Sequence, residues 1–194
     1  MENCKSYATP GVKSVNPSII LEDNHAEGGI SSAPPGPGSS KLDREGMKLY
    51  RSAVARCNYL AADRYETAFT TKELCRAMSS PSEENLVAAK RLCRFLCGLP
   101  RLVQMIDFGD FAPTIVRAYV DSDWAGCRKT RKSTSGGVLM LGNTAVRGWS
   151  TNQAVIALSS GEAEYYAALK GASQALGFQS MLRDIGLQTS VTLF

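Results

Sequence analysis

The sequence predicts an α/β fold: a small helical segment, then an antiparallel meander of strands covered by one long helix. Three observations predict it. Apolar residues recur at helical spacing between Leu42 and Leu99, and fall into strand-length runs broken by Gly, Pro, Asn and Asp between Arg101 and Asn152. The helical period then returns from Ser160. A helix that crosses between strands of one sheet belongs to a layered α/β arrangement.

Residues 1–41 contain Thr9-Pro10-Gly11, Asn16-Pro17 and a Gly, Pro and Ser run from Gly28 to Ser40. They offer too little apolar surface to offset the entropy of ordering, so a flexible arm or linker is expected, with one short strand around Ser18 to Leu21. In 42–100, helices are expected at Arg44 to Ala62, Tyr65 to Met78 and Glu83 to Leu96. The third has the clearest start: Ser80 as N-cap, Pro81 at the first helical position and Glu83 as the capping-box acid. Leu86, Ala89, Leu92, Cys93 and Leu96 form its apolar stripe, Lys90, Arg91 and Arg94 its basic side, and Gly98 and Pro100 stop it. A basic helical side has the chemistry to track a phosphate backbone, although a plain solvated face is the commoner case.

The stretch 101–194 is expected to hold strands at Leu102 to Phe108, Thr114 to Asp121, Gly136 to Leu141 and Ala145 to Asn152. A helix from about Ser160 to Gly186 follows, then a further core strand at Val191 to Phe194. Short loops between successive strands imply the meander. Ser159 followed by Glu162 is a capping-box arrangement, which gives Glu162 a structural role.

With 194 residues, 44% of them hydrophobic, the chain can bury a core, and its net charge of +4 is compatible with a polyanionic partner. Six cysteines, at 4, 57, 75, 93, 97 and 127, lack zinc-ribbon spacing and read as reduced intracellular thiols; Cys93 and Cys97 read as core packing. His25 is the one histidine, which leaves no material for a His-dependent triad or a two-His metal helix. No apolar run approaches the about 20 residues that span a bilayer.

Candidate chemistry lies where the run Thr114 to Val120 ends in Asp121-Ser122-Asp123 and where Glu162-Ala163-Glu164 opens the long helix. Magnesium takes oxygen ligands, often one or two carboxylates plus phosphate oxygens, so Asp121 with Glu164 supplies a minimal protein share. Acids are also common at strand ends and in first helical turns, so the spacing alone equally describes ordinary turn and helix-start acids. Asp121 closes the alternating run, whereas Asp123 verges on the turn. Glu164 heads a small-residue stripe, Ala168, Gly171 and Ala175, suited to close approach to a sheet, with Tyr165, Leu169, Ala172 and Leu176 as an adjoining apolar face. Between the acids, Arg128, Lys129, Arg131 and Lys132, with Ser133, Thr134 and Ser135, can hold a nucleic-acid backbone through phosphate contacts; an exposed soluble turn reads the same way.

Taken together, these residues resemble copia-type retrotransposon Pol polyproteins, at the end of the reverse transcriptase and the start of the ribonuclease H domain. The pieces that carry the resemblance are Tyr50-Arg51-Ser52, Tyr59-Leu60, Ala88-Ala89-Lys90-Arg91, Arg94-Phe95-Leu96 and above all Asp121-Ser122-Asp123-Trp124-Ala125-Gly126. They continue through Arg131-Lys132-Ser133-Thr134-Ser135-Gly136, Ala157-Leu158-Ser159-Ser160 and Glu162-Ala163-Glu164-Tyr165. Met1 to Lys5 with Thr9-Pro10 looks like the family's segment before the linker.

The resemblance implies a ribonuclease H-like fold, C-terminally truncated at 194, in which 42–100 corresponds to the reverse transcriptase's C-terminal region. It implies cleavage of the RNA strand of an RNA-DNA hybrid with two magnesium or manganese ions about 4 Å apart. Asp121 then matches the first-strand catalytic metal ligand and Glu164 the helix ligand. Hybrid recognition would rest on backbone shape and the RNA 2′-hydroxyl. Several positions depart from the family's pattern: a third and a fourth acid are missing, Gly161 and Gly137 stand where Thr and an aromatic are usual, and Gly148 to Gln153 lacks the usual lysines. The expectation is a polyprotein piece inactive alone, whose partners are an RNA-DNA hybrid and the rest of the polyprotein, inside the cell and off the membrane. The alternative is a catalytically dead nucleic-acid-binding remnant.

Overall fold

The computed structural model describes residues 8, 10, 40–104, 106, 114–127 and 129–194. The expected arm at 1–41, with its short strand, falls almost wholly outside them. The chain divides into two compact units, 1–102 and 103–194.

The first unit is helical. Asp43 caps α1 (Arg44–Leu60), its carboxylate accepting from the Gly46 amide at 2.7 Å, as a side-chain acceptor at that position should. Tyr50, Val54 and Cys57 are its buried side. The expected second helix is two pieces, a 3-10 turn at Tyr65–Thr67 running into α2 (Ala68–Arg76). The buried Thr67 hydroxyl donates to the Arg64 carbonyl at 2.7 Å, and this local bond competes with continuous α-helical bonding.

The start of α3 (Glu83–Gly98) corrects the sequence reading. Its N-cap is Ser82, not Ser80, and the capping-box partner is Asn85, whose side chain takes the Ser82 amide at 3.0 Å. Its buried side is Ala88, Ala89, Leu92 and Phe95, about one position out of phase with the expected stripe, and Arg91 is buried, so the expected basic side is not one solvated face. These residues close a core with Tyr50, Val54, Cys57 and Leu74.

The second unit is a four-stranded mixed sheet in the order β3-β2-β1-β4, with one long helix on it. β1 (Ile115–Asp123), β2 (Thr134–Leu141) and β3 (Thr144–Asn152) form the antiparallel meander, and α4 (Ser160–Asp184) leads to β4 (Ser190–Leu193), which pairs parallel to β1. β4 is an edge strand with mostly exposed residues rather than a core strand. No strand forms at 101–104 or 106, where Leu102 to Phe108 was expected; residues 105 and 107–113 lie outside the described set.

Alternation along β1 turns Val116, Ala118 and Val120 to α4, and the core there joins Val116, Ala118 and Leu139 to Ala175 and Leu182. The helix presents Ala163, Ala167, Gly171 and Ala175, all buried. A Cβ on Gly171 would overlap Val120 Cγ1, so glycine sets how closely α4 lies on the sheet. Gly137 pairs with Trp149, whose indole fills the space a Cβ at Gly137 would occupy. Tyr165, Leu169 and Leu176, expected to form an apolar packing face, are 62%, 49% and 54% exposed. No helix among the described residues is long and apolar enough to cross a membrane.

Candidate functional site

The site is built where the end of β1 meets the start of α4. Ser159 caps α4, its hydroxyl accepting from the Glu162 amide at 3.1 Å, and the Glu162 carboxylate accepts from the Leu158 amide at 2.7 Å. Glu162 is therefore spent on the helix start, as the spacing suggested, although it reaches one residue beyond the cap. Glu164 is exposed, and its carboxylate accepts from the Ser122 hydroxyl at 2.8 Å. That bond joins the helix start to the acid-bearing strand end.

Ser122 is the residue that sequence reasoning passed over. It follows Asp121 and so lies on the α4 side of the strand, while alternation places Asp121 on the other side. The contact that the structure gives Glu164 in β1 is thus Ser122, the immediate neighbour of Asp121. The signal was present in the sequence: in Asp121-Ser122-Asp123 only the middle residue shares the phase of Val116, Ala118 and Val120. Asp121 is exposed and pairs with Gly136, which offers it no side chain across the strand. Asp123 is the last residue of β1, and its carboxylate packs over Gly126, where a Cβ would overlap it.

Beyond the acids, the turn is held from within. The Ala125 amide donates to the Ser133 hydroxyl at 3.0 Å, and Ala125 adopts a left-handed φ of 51°. The Trp124 indole N–H donates to the Ala157 carbonyl at 3.1 Å, which fixes a 46% exposed ring beside the acids. Gln153, 7% exposed, donates to the Ser135 hydroxyl at 3.0 Å and to the Ala163 carbonyl at 2.8 Å, so one buried amide ties β2 to the first turn of α4.

The hairpin residues divide. Lys129 and Arg131 are exposed, and the Lys132 ammonium donates to the Ala154 carbonyl at 2.7 Å. Arg128 lies outside the described residues. Ser133, Thr134 and Ser135, expected to face phosphate, are 0%, 6% and 3% exposed. Their hydroxyls are used inside the unit by Ala125, Asn152 and Gln153. Burial of polar groups requires such partners, so these three residues build the turn rather than its surface.

For a metal, the donor chemistry is limited. Asp121 and Glu164 are exposed carboxylates, the donor type that a hard divalent cation takes, but alternation turns Asp121 to the side of β1 opposite the one on which Ser122 meets Glu164. Among the described residues no group of three or more His, Cys, Asp or Glu is arranged to hold an ion, so the larger donor set of a two-ion centre is not assembled by them.

The chain is 32% identical over 139 residues to the retrovirus-related Pol polyprotein from transposon RE1 of Arabidopsis thaliana, a match covering 72% of this chain and 9% of that protein. It is 32% identical over 141 residues to the corresponding polyprotein from transposon RE2 of the same plant, covering 73% of this chain and 10% of the relative. A shorter relative, the secreted RxLR effector protein 161 of Plasmopara viticola, is 32% identical over 128 residues, 66% of this chain and 89% of its own length. No family model matches, and no solved structure does. The chain spans about a tenth of the length of the Pol polyproteins it matches. With the acid-bearing strand end, the hairpin and the helix start in the expected order, it belongs to the retrovirus-related Pol polyproteins of copia-type transposons.

Proposed function

We propose that residues 103–194 are part of a ribonuclease H-like domain acting on the RNA strand of RNA-DNA hybrids, inside the cell and in concert with the rest of a Pol polyprotein. The observation that carries this reading is the Ser122 to Glu164 hydrogen bond, which brings a helix-start carboxylate to the strand end holding Asp121. The mixed sheet with its crossing helix is compatible with that fold. In that reading the exposed carboxylates of Asp121 and Glu164 would be the donors to magnesium or manganese, which when bound supplies an activated water and charge stabilisation at phosphorus, although strand alternation directs the two to different sides of β1. The protein's own share is to fix Glu164 through Ser122 and to offer Lys129 and Arg131 to the nucleic-acid backbone. Such cations act without base specificity and lose strength as salt rises.

A second reading, nucleic-acid binding without cleavage, is favoured by the absence of a three-acid group among the described residues. One experiment separates the two. The chain, supplied within a Pol polyprotein, is incubated with a labelled RNA-DNA hybrid and magnesium, while manganese binding is followed by electron paramagnetic resonance. Under the nuclease reading, Asp121→Asn and Glu164→Gln each abolish RNA-strand cleavage and weaken manganese binding. Salt-sensitive hybrid binding that survives both substitutions, with no cleavage by the unaltered polyprotein, supports the binding reading. Neither binding nor cleavage would overturn both.

A further inference from the structure

The bonds around the strand end and the helix start close on themselves. Ser122 of β1 lies directly across from Ser135 of β2, and residues paired in this way point to the same side of a sheet. The Ser135 hydroxyl accepts from the Gln153 side-chain amide at 3.0 Å, and the same nitrogen donates to the Ala163 carbonyl at 2.8 Å. That carbonyl belongs to the peptide unit joining Ala163 to Glu164, whose carboxylate accepts from the Ser122 hydroxyl at 2.8 Å. Glu164 is thus gripped twice, at its side chain by Ser122 and at its backbone by Gln153, and both grips lead back to one cross-strand pair. We propose that Gln153 is a positioning residue for Glu164: through the Ala163 peptide it sets where that carboxylate stands at the end of β1. The proposal rests on the nuclease reading of Glu164.

The setting of Gln153 suits that task. Its backbone amide donates to the Ser133 carbonyl at 2.8 Å, so the residue is held at the main chain as well as at the side chain. It is buried, and while its side-chain nitrogen serves two acceptors, its Oε1 has no hydrogen-bond partner. Turning the amide over would set that oxygen against the Ala163 carbonyl oxygen, so the grip on Ala163 dictates which way the amide faces. Leaving a buried acceptor unmet is destabilising, and an apolar side chain of the same length would avoid it. Packing alone therefore gives no reason for glutamine here, whereas holding the Glu164 peptide does.

The test places Gln153→Met, which keeps the length of the side chain and removes its donors, in the chain within a Pol polyprotein. Cleavage of a labelled RNA-DNA hybrid is measured with magnesium, and manganese binding by electron paramagnetic resonance. Loss of a group that orients a metal ligand is expected to lower kcat and manganese affinity each by about 10- to 100-fold, with the KM for the hybrid unchanged. Leu182→Val, a core change at the other end of α4, controls for destabilisation and is expected to leave all three unchanged. Ser122→Ala, alone and with Gln153→Met, completes a cycle: either loss already frees Glu164, so the double variant should be no weaker than the worse single one. Losses that multiply overturn the proposal, as does a Gln153→Met that behaves like Leu182→Val; the nuclease reading then still stands if Glu164→Gln abolishes cleavage. Should Glu164→Gln cleave normally, both fall. If Gln153→Met misfolds, Ser135→Ala, which removes a partner of the same amide, takes its place with the same expected loss of kcat, and full activity of that variant overturns the proposal.

Discussion

Tyr50 shows how one side chain closes the helical unit. It is fully buried, and its hydroxyl donates to the Leu74 carbonyl at 2.7 Å, joining α1 to α2. Burial, with Cys75 nearby, pushes its phenol above the ordinary value. A group whose folded value is raised stabilises the fold fully below its unfolded value, about 10 for tyrosine, and loses that contribution as pH climbs toward the folded value. Tyr50→Phe is therefore expected to cost about 1 kcal/mol at neutral pH, for one lost hydrogen bond. It should also flatten the part of the alkaline loss that begins above about pH 10. Urea titrations of both proteins at several pH values check this; parallel pH dependence above that point would refute the assignment.

At this scale the sequence was partly legible. The capping duty of Glu162 was legible from its spacing to Ser159, whereas strand phase points to Ser122, not Asp121, as the residue that meets Glu164. Ser133, Thr134 and Ser135 looked like surface hydroxyls because a strand of small polar residues carries no apolar signal to reveal which side is buried. Two of the partners that hold them inward, Asn152 and Gln153, are distant in sequence.

Among elements, α4 is the instructive one. Its start, marked by Ser159, and its length were legible from capping and period. Its rotation on the sheet was read less well, since Ala, Gly and Leu are distributed around the helix. The observed line of contact, Ala163, Ala167, Gly171 and Ala175, selects the smallest side chains and leaves Tyr165, Leu169 and Leu176 outward. Close approach of backbone to sheet, not side-chain bulk, decides this packing.

Two glycines in that one helix test the point. Gly177 has nothing within 4 Å of a would-be Cβ, so Gly177→Ala is expected to stabilise by up to about 1 kcal/mol through helix propensity. Gly171→Ala gains the same propensity but drives a methyl into Val120 and against Leu193, and overpacking of this kind costs about 1 to 3 kcal/mol. Thermal melts of the two variants should shift in opposite directions. A stabilised Gly171→Ala would mean that α4 can lift off the sheet at little cost. The start of α3 shows the limit of such reading in the other direction: Ser80-Pro81-Ser82 offers two caps, and the side chain of Asn85 settles the choice in favour of Ser82.

For the whole molecule, the structure divides the chain at 102 into two compact units. Each unit has its own core, one around Tyr50 and Leu92, the other around Val116 and Leu139. What the sequence could not supply was the pairing of β4 with β1 at the sheet edge, because a four-residue strand has too few positions for its pattern to declare a neighbour.

Both tryptophans of the chain, Trp124 and Trp149, belong to the sheet unit. Indole emission is thus an optical label for that unit alone, silent toward the helical unit 1–102, whereas far-ultraviolet dichroism sees both. In urea the two signals are expected to trace different transitions, and coincident curves would refute independent melting. Trp124, anchored yet half open to water, should be the first reached by acrylamide, while the ring lodged in the hollow of Gly137 stays bright until the strands part.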